Sequence, residues 1–156
     1  MRKPASSPAP SDDPLALENQ FCFALYSASL AMTKVYKPFL ERLGLTYPQY
    51  LVMLVLWQGD DILVKDIGAK LFLDSGTLTP LLKRLEAAGL VERVRDDADE
   101  RQVRIRLTRG GRALRKQAQD IPFQVLCASG QPVETLADLR GQLNAIRRQL
   151  LGDGDS

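Results

Sequence analysis

Residues 61–109 constrain the fold of this chain most strongly, because two helical patterns and two alternating patterns follow one another there. A turn at residues 73–76 separates two apolar helical stripes, and Gly89 suits the end of the second helix. Residues 90–95 and 103–107 alternate apolar and polar side chains, which predicts a hairpin with an outward face of arginines. A helix-turn-helix followed by a basic hairpin is the layout of a winged helix, a DNA-reading module.

Amphipathic helices are predicted on both sides of this module. Apolar residues recur at helical spacing from Leu15 to Leu43, and Gly44 should end this helix. Pro38 should bend it or break its last turns. Thr46 is a suitable N-cap for the next helix, and a helix that begins after the wing should be kinked or interrupted at Pro122. The expected fold class is mainly α with a small β-hairpin wing.

The sequence divides into five predicted parts. Residues 1–14 and 152–156 are expected to be disordered tails, since they are polar and rich in Pro, Ser or Gly. Residues 46–109 form the predicted winged helix-turn-helix DNA-binding domain. Residues 15–45 and 110–151 are predicted to be dimerisation helices, because the central module can close a small core without their long apolar stripes. Packing of these stripes within their own chain is the alternative.

Composition narrows the possible functions. With 156 residues, of which 45% are hydrophobic and 26% charged, the chain is suited to one globular core. The net charge of +2 is too small to indicate nucleic acid by itself, so the position of the charges matters. Nine basic residues crowd into and just beyond the hairpin, where they can attract phosphate: Arg93, Arg95, Arg101, Arg104, Arg106, Arg109, Arg112, Arg115 and Lys116.

The sequence contains no histidine, which excludes Ser-His-Asp and Cys-His catalysis and any His-based metal site. Cys22 and Cys127 lie too far apart for a metal site or a secreted disulfide scaffold. We therefore expect no enzyme, cofactor or metal. Residues 1–14 lack the apolar segment of a signal peptide, and no apolar run reaches the ~18 residues of a membrane span. A cytoplasmic protein with reduced thiols and no membrane partner is expected.

Three separate places in the sequence resemble the MarR family of winged-helix repressors. They are residues 46–50 (TYPQY), residues 73–82 (LDSGTLTPLL), and residues 99–101 (DER) followed by residues 107–110 (LTRG). Residues 21–26 (FCFALY) are similar to the organic-hydroperoxide-sensing branch of that family, the OhrR repressors. The second cysteine resembles the two-cysteine class of the branch.

Candidate DNA contacts lie on the second helix of the module and at the tip of the wing. Arg101 resembles the family arginine that enters the minor groove, and Asp99 should steady it by charge pairing. Simple capping and solvation are the alternative roles for the hydroxyl residues, and solvation is the alternative for Arg101. A two-fold homodimer would place two modules about 34 Å apart on a palindromic double-stranded operator. The exposed candidates on the helix are Ser75, Gly76, Thr77, Thr79, Pro80 and Lys83.

Cys22 is the candidate sensor, although a cysteine between two phenylalanines is more often an inert apolar residue. In a helix that begins at Leu15, Cys22 lies about two turns inside, where the helix dipole gives little support to a thiolate. The OhrR resemblance implies that the hydroxyls of Tyr36 and Tyr47 hydrogen-bond this cysteine. On one straight helix Cys22 and Tyr36 are about 21 Å apart, so they meet only across a subunit boundary or after a sharp break.

The resemblance also implies the chemistry of the sensor. An organic hydroperoxide oxidises the Cys22 thiolate to sulfenic acid, which then forms a disulfide with Cys127 of the other subunit. The reduced protein is expected to bind its operator and the oxidised protein to release it.

Three alternatives stay open at the level of sequence. The first is a repressor released by a lipophilic or phenolic ligand, with both cysteines structural. The second is a thiol peroxidase, although no thioredoxin-like βαβ pattern is evident. The third is a DNA-binding or interaction protein that does not respond to oxidants.

Overall fold

The computed structural model describes residues 12–152, which contain seven α-helices and one antiparallel sheet of three strands. The predicted tails therefore lie outside the described residues, except for residues 12–14 and Gly152. The elements are α1 (Phe21–Leu43), α2 (Tyr47–Gln58), β1 (Ile62–Leu63), α3 (Val64–Leu71), α4 (Ser75–Ala87), β2 (Val91–Arg95), β3 (Val103–Leu107), α5 (Arg109–Ala118), α6 (Ile121–Ser129) and α7 (Val133–Leu151).

The first helix is shorter than predicted. It begins at Phe21 instead of Leu15, and residues 12–20 form a single 3₁₀ turn at Leu17–Asn19 but no α-helix. The reason lies at Gln20, whose backbone is extended and whose side-chain Nε2 donates to the carbonyls of Pro14 and Ala16. Pro38 lies inside α1 without ending it, so the alternative of broken last turns was wrong.

Local signals fix the end of α1 and the start of α2. Gly44 adopts a left-handed φ of 69°, which ends α1 as the sequence indicates. Thr46 then forms a capping box with Gln49: each side chain bonds the backbone of the other residue. The prediction of Thr46 as N-cap is confirmed. The middle of α2 lies in the core, and Trp57 Nε1 at its end donates to the Gly111 carbonyl at 2.9 Å.

Helices α3 and α4 form the helix-turn-helix. Phe72 adopts a left-handed φ of 57° at the end of α3, and Asp74 then caps α4 by accepting from the Thr77 N–H at 2.7 Å. The N-cap of α4 is therefore Asp74, and Ser75 is the first residue of the helix. Gly68 allows the turn to close on α3, because a Cβ there would lie 2.7 Å from the Leu73 carbonyl oxygen.

The wing has a strand that sequence analysis missed. Strand β3 lies in the centre of the sheet, between β2 and the short strand β1. Ile62 and Leu63 of β1 pair with Ile105 and Arg104 of β3. Two residues are too few to show a period of two, so the pattern of the sequence predicted only the hairpin. The mainly α winged-helix fold class is confirmed.

Pro122 interrupts the helix after the wing, as expected. It lies in the first turn of α6, where its missing N–H costs nothing, and α5 ends at Ala118. The core is formed by α1, α2, α3, α4, α5, α6 and the sheet, whereas α7 contributes no buried residue. Within residues 12–152, no helix is both long and apolar enough to cross a membrane.

Candidate nucleic-acid interface and redox site

The N-terminal turns of α4 present a surface of small and hydroxyl-bearing residues. The hydroxyl of Thr79 is not free, because its Oγ1 donates to the Ser75 carbonyl at 2.7 Å. Its hydroxyl proton is therefore already used, and the oxygen remains as an acceptor. The apolar face of the same helix is buried, which fixes the outward direction of the other candidates. The exposed members are Ser75, Gly76, Thr77, Pro80 and Lys83.

The tip of the wing carries a well-defined ion pair. Arg101 Nε lies 3.1 Å from Asp99 Oδ1, and the backbone N–H of Arg101 donates to the same oxygen at 3.1 Å. The hydrogen bonds from Arg101 lower the pKa of Asp99 below its usual value. The Arg101 side chain is 91% exposed. Its guanidinium group is therefore held at the base by Asp99 and otherwise faces solvent.

A groove separates α4, the recognition helix of the helix-turn-helix, from the wing. It has a volume of about 290 Å³, and its lining includes Ser75 and Thr79 from α4 together with Arg93, Arg101 and Val103 from the sheet side. The structure therefore brings the predicted helix and wing candidates to two walls of one groove.

Two arginines of the basic cluster are not available as predicted. Arg104 Nε and Arg106 Nε both donate to Asp61 Oδ1, at 2.8 and 3.1 Å. Arg104 Nη1 also donates to Asp96 Oδ1 at 3.1 Å. The two arginine hydrogen bonds lower the pKa of Asp61, with Arg104 as the larger cause. Asp61 is 43 residues from Arg104 along the chain, so sequence spacing gave no signal for this pairing.

Cys22 lies at the beginning of a helix, which corrects the sequence interpretation. It is the second residue of α1, and not two turns inside a longer helix. The first N–H groups of any helix have no intrahelical acceptor, and the side chain of Gln20 does not cap them. Cys22 is exposed, and the preceding residue, Phe21, is 56% exposed. Cys22 therefore lies in the first turn of α1, where the partial positive charge of a helix N-terminus is concentrated.

Tyr36 and Tyr47 lie together, but they are remote from Cys22 of their own chain. Their ring centroids are 4.9 Å apart. Burial, followed by the nearby charges of Tyr47 and Tyr50, raises the pKa of Tyr36 to about 12. Burial also raises the pKa of Tyr47. Because α1 is continuous from Phe21 to Leu43, the sharp break that would bring Cys22 to Tyr36 is absent from it.

A third tyrosine, which the sequence analysis did not single out, lies near Cys22 along α1. Tyr26 follows Cys22 by four residues on α1, so both side chains lie on the same face of the helix. The Tyr26 side chain is exposed, at 63%.

Cys127 lies in the last turn of α6 and is exposed. Helices α1 and α7, which flank the winged helix-turn-helix in sequence, expose many large apolar side chains. Within residues 12–152, no group of three or more Cys, Asp or Glu side chains is placed to hold a metal ion. The exposed apolar residues of α1 and α7 are Phe21, Phe23, Leu25, Tyr26, Leu30, Val133, Leu139, Leu143, Ile146, Leu150 and Leu151.

The helix-turn-helix, the sheet beside it and the exposed arginine at the tip define a winged-helix protein of the DNA-reading type. Residues 34–118 match the family described as the transcriptional regulator SarA/Rot. The chain is 49% identical to the organic hydroperoxide resistance transcriptional regulator of Bacillus subtilis, over 88% of this chain and 94% of that protein. It belongs to the MarR family of winged-helix regulators, in the OhrR branch.

Solved structures agree with this assignment. Reduced AbfR bound to DNA is 36% identical, with a TM-score of 0.71 over 86% of this chain and 94% of that one. Disulfide-formed AbfR is 38% identical, with a lower TM-score of 0.59 over 83% of this chain and 91% of that one. AbfR is a protein of Staphylococcus epidermidis. MarR of E. coli, at 23% identity and a TM-score of 0.62 over 81% of this chain and 96% of that one, shares the fold.

Proposed function

We propose that this chain is a redox-sensing repressor that binds a palindromic operator as a homodimer when Cys22 is reduced. Oxidation of Cys22 by an organic hydroperoxide leads to an intersubunit disulfide with Cys127 and to release of the operator. One observation carries this proposal: Cys22 lies at the exposed start of α1, about 21 Å along the same helix from Tyr36. A second subunit completes the site by bringing its tyrosine pair to this cysteine.

The apolar faces of α1 and α7 support the dimer. So many large exposed apolar residues on two helices are unusual for a monomer, and two copies of these helices pack against each other by two-fold symmetry. The two recognition helices then lie one turn of DNA apart.

Cys22 is oxidised in two steps. The Cys22 thiolate attacks the outer oxygen of the hydroperoxide, and Cys22 becomes a sulfenic acid while the O–O bond breaks and an alcohol leaves after taking up a proton. The thiol of the partner's Cys127 then attacks the sulfenic sulfur, which forms the disulfide and releases water. Tyr26, Tyr36 and Tyr47 orient the thiolate through their hydroxyls, and the surrounding phenylalanines favour apolar peroxides.

The AbfR structures support a role for the disulfide itself. In that relative both a reduced and an overoxidised form have been solved bound to DNA, and a disulfide form has been solved as well. By analogy, the cross-link in this chain moves the helices that hold the two DNA-binding modules. The altered distance between the two recognition helices no longer fits two successive major grooves.

On DNA, the exposed residues of α4 enter the major groove and Arg101 enters the minor groove beside it. The residues of α4 that contact base edges or phosphates are Ser75, Gly76, Thr77, Thr79, Pro80 and Lys83. Asp99 holds Arg101.

The test of the redox switch is a binding titration with an operator duplex selected from random-sequence DNA by the reduced protein. One equivalent of cumene hydroperoxide should abolish binding, and dithiothreitol should restore it. Unchanged binding by the oxidised protein contradicts the proposal.

A ligand-released repressor is the second candidate, and one cavity favours it. A largely apolar cavity of about 390 Å³ lies between α1 and α2, with Leu40, Leu45, Tyr47 and Pro48 in its lining. Alkylation of Cys22 distinguishes the two functions: it abolishes a peroxide response, whereas release by a phenolic ligand in this cavity persists.

A further inference from the structure

Arg101 at the tip of the wing is connected to Asp61, the residue before β1, by an unbroken series of hydrogen bonds. Arg104 links the two ends, because Nε and Nη2 donate to the side chain and the carbonyl of Asp61 at 2.8 and 2.7 Å, while Nη1 donates to Asp96. Asp96 Oδ2 then accepts from the Asp99 N–H at 3.1 Å. Asp99 in turn holds Arg101. We call Asp61, Arg104, Asp96 and Asp99 the wing relay.

The position of the Arg104–Asp96 pair gives it more weight than a surface ion pair has, whereas the Asp61 side chain is 42% exposed. The side chains of Arg104 and Asp96 are only 28% and 14% exposed, so solvent screens their interaction less. Asp61 adopts a left-handed φ of 60°, a conformation that aspartate tolerates better than most residues. This backbone conformation places both its carboxylate and its carbonyl within reach of one guanidinium group.

We propose that Asp61 and Arg104 are positioning residues for operator binding, which act by holding the wing tip so that Arg101 faces the minor groove. This inference rests on the proposed function of Arg101. It assigns Arg104, which the sequence placed among the phosphate-attracting residues, to the support of another arginine. Asp61 acts only through the relay.

A double-mutant cycle tests this role in the full-length reduced protein. Asp61→Asn keeps the size of the side chain and removes its charge, and we expect about fivefold weaker binding to the selected operator duplex. In the Arg101→Ala background the same substitution should change affinity by less than about 1.5-fold, because the residue it positions is gone. Arg104→Gln should behave in the same way. If Arg104 instead contacted phosphate directly, Arg104→Gln would still weaken binding in the Arg101→Ala background.

Arg106→Gln is the matched control. Arg106 donates to the same Asp61 oxygen but makes no bond to Asp96, so its loss leaves the relay connected. We expect its affinity to stay within about twofold of the wild-type value. Amide hydrogen exchange over residues 96–103 should increase in Asp61→Asn and stay unchanged in Arg106→Gln. Should Asp61→Asn fail to fold, Asp96→Asn breaks the relay from the wing side.

The outcomes separate the two proposals. Additive effects of Asp61→Asn and Arg101→Ala, or unchanged affinity in Asp61→Asn, overturn the relay. Unchanged operator affinity in Arg101→Ala alone overturns the minor-groove role of Arg101, and the relay with it. Weakened binding in Arg101→Ala with no effect of Asp61→Asn leaves the proposed function standing and removes only this inference.

Discussion

Tyr36 of α1 and Tyr47 of α2 pack ring against ring, with centroids 4.9 Å apart and planes tilted by 50°. Half-burial raises the pKa of both, to about 12 for Tyr36. At neutral pH both hydroxyls therefore carry their protons and can donate hydrogen bonds to an anion. A thiolate from the partner subunit is the anion that the proposed function supplies.

Tyr36→Phe and Tyr47→Phe should each slow the oxidation of Cys22, because each removes one donor to the thiolate. We expect a loss of about tenfold in the rate constant with cumene hydroperoxide, since a hydrogen bond to a charged group contributes about 1.5–3 kcal/mol. The rate is measured by the loss of free thiol in a stopped-flow assay. Operator affinity of the reduced variants should not change.

Tyr50→Phe is the matched control for these variants. Tyr50 belongs to the same ring cluster, 5.8 Å from Tyr36, but only 2% of it is exposed. A rate loss in Tyr50→Phe equal to that in Tyr36→Phe would show that ring packing, and not hydroxyl donation, controls the thiol.

Alkaline pH should weaken the fold through the same tyrosine. The pKa of Tyr36 is about 12 in the folded chain, whereas an unfolded tyrosine titrates near 10. The folded state therefore holds its proton longer, and the free energy of unfolding falls as pH rises between these two values. Tyr36→Phe should show a shallower fall from about pH 10 to 11.5 in urea titrations. Equal slopes for the two proteins would contradict the raised pKa.

Cys127→Ser separates oxidation from cross-linking. Its Cys22 should still react with hydroperoxide, but non-reducing gels should show no cross-linked dimer, because the resolving thiol is missing. If the disulfide causes release, this variant should stay on the operator after one equivalent of oxidant. Cys22→Ser is the control, and it should bind DNA and ignore the oxidant. A dimer band in oxidised Cys127→Ser would remove Cys127 from the mechanism.

The sequence predicted those features that depend on neighbouring residues. The cap at Thr46, the glycine at the end of α1 and the interruption at Pro122 follow from local steric and hydrogen-bonding rules, and they were correct. The start of α1 was wrong, because the Gln20 side chain bonds backward to the preceding turn. The partners of Arg104 were not visible, because Asp61 approaches it only through the pairing of β1 with β3.

The apolar face of α7 offers a test of the dimer. Ile146→Asp should convert the protein to a monomer, because a charge cannot be buried in an apolar interface without a partner. Light scattering after gel filtration measures the mass, and operator binding should fall with it. Glu134→Gln, in the first turn of the same helix, is the control and should remain dimeric. A monomeric wild-type protein at micromolar concentration would contradict the proposed interface.

Two glycines should respond in opposite ways to substitution by alanine. A Cβ at Gly111 would overlap the Leu90 carbonyl oxygen, and Gly111 also accepts the Trp57 hydrogen bond that ties α2 to α5. Gly111→Ala should therefore lower the free energy of unfolding by about 2–4 kcal/mol.

A Cβ at Gly141, inside α7, would meet nothing within 4 Å beyond the backbone of its own helix. Gly141→Ala should raise stability by up to about 1 kcal/mol, because alanine favours the helix. Urea titrations at one fixed protein concentration make the comparison valid for a dimer, and a stable Gly111→Ala protein would show that α5 shifts away from β2 at little cost.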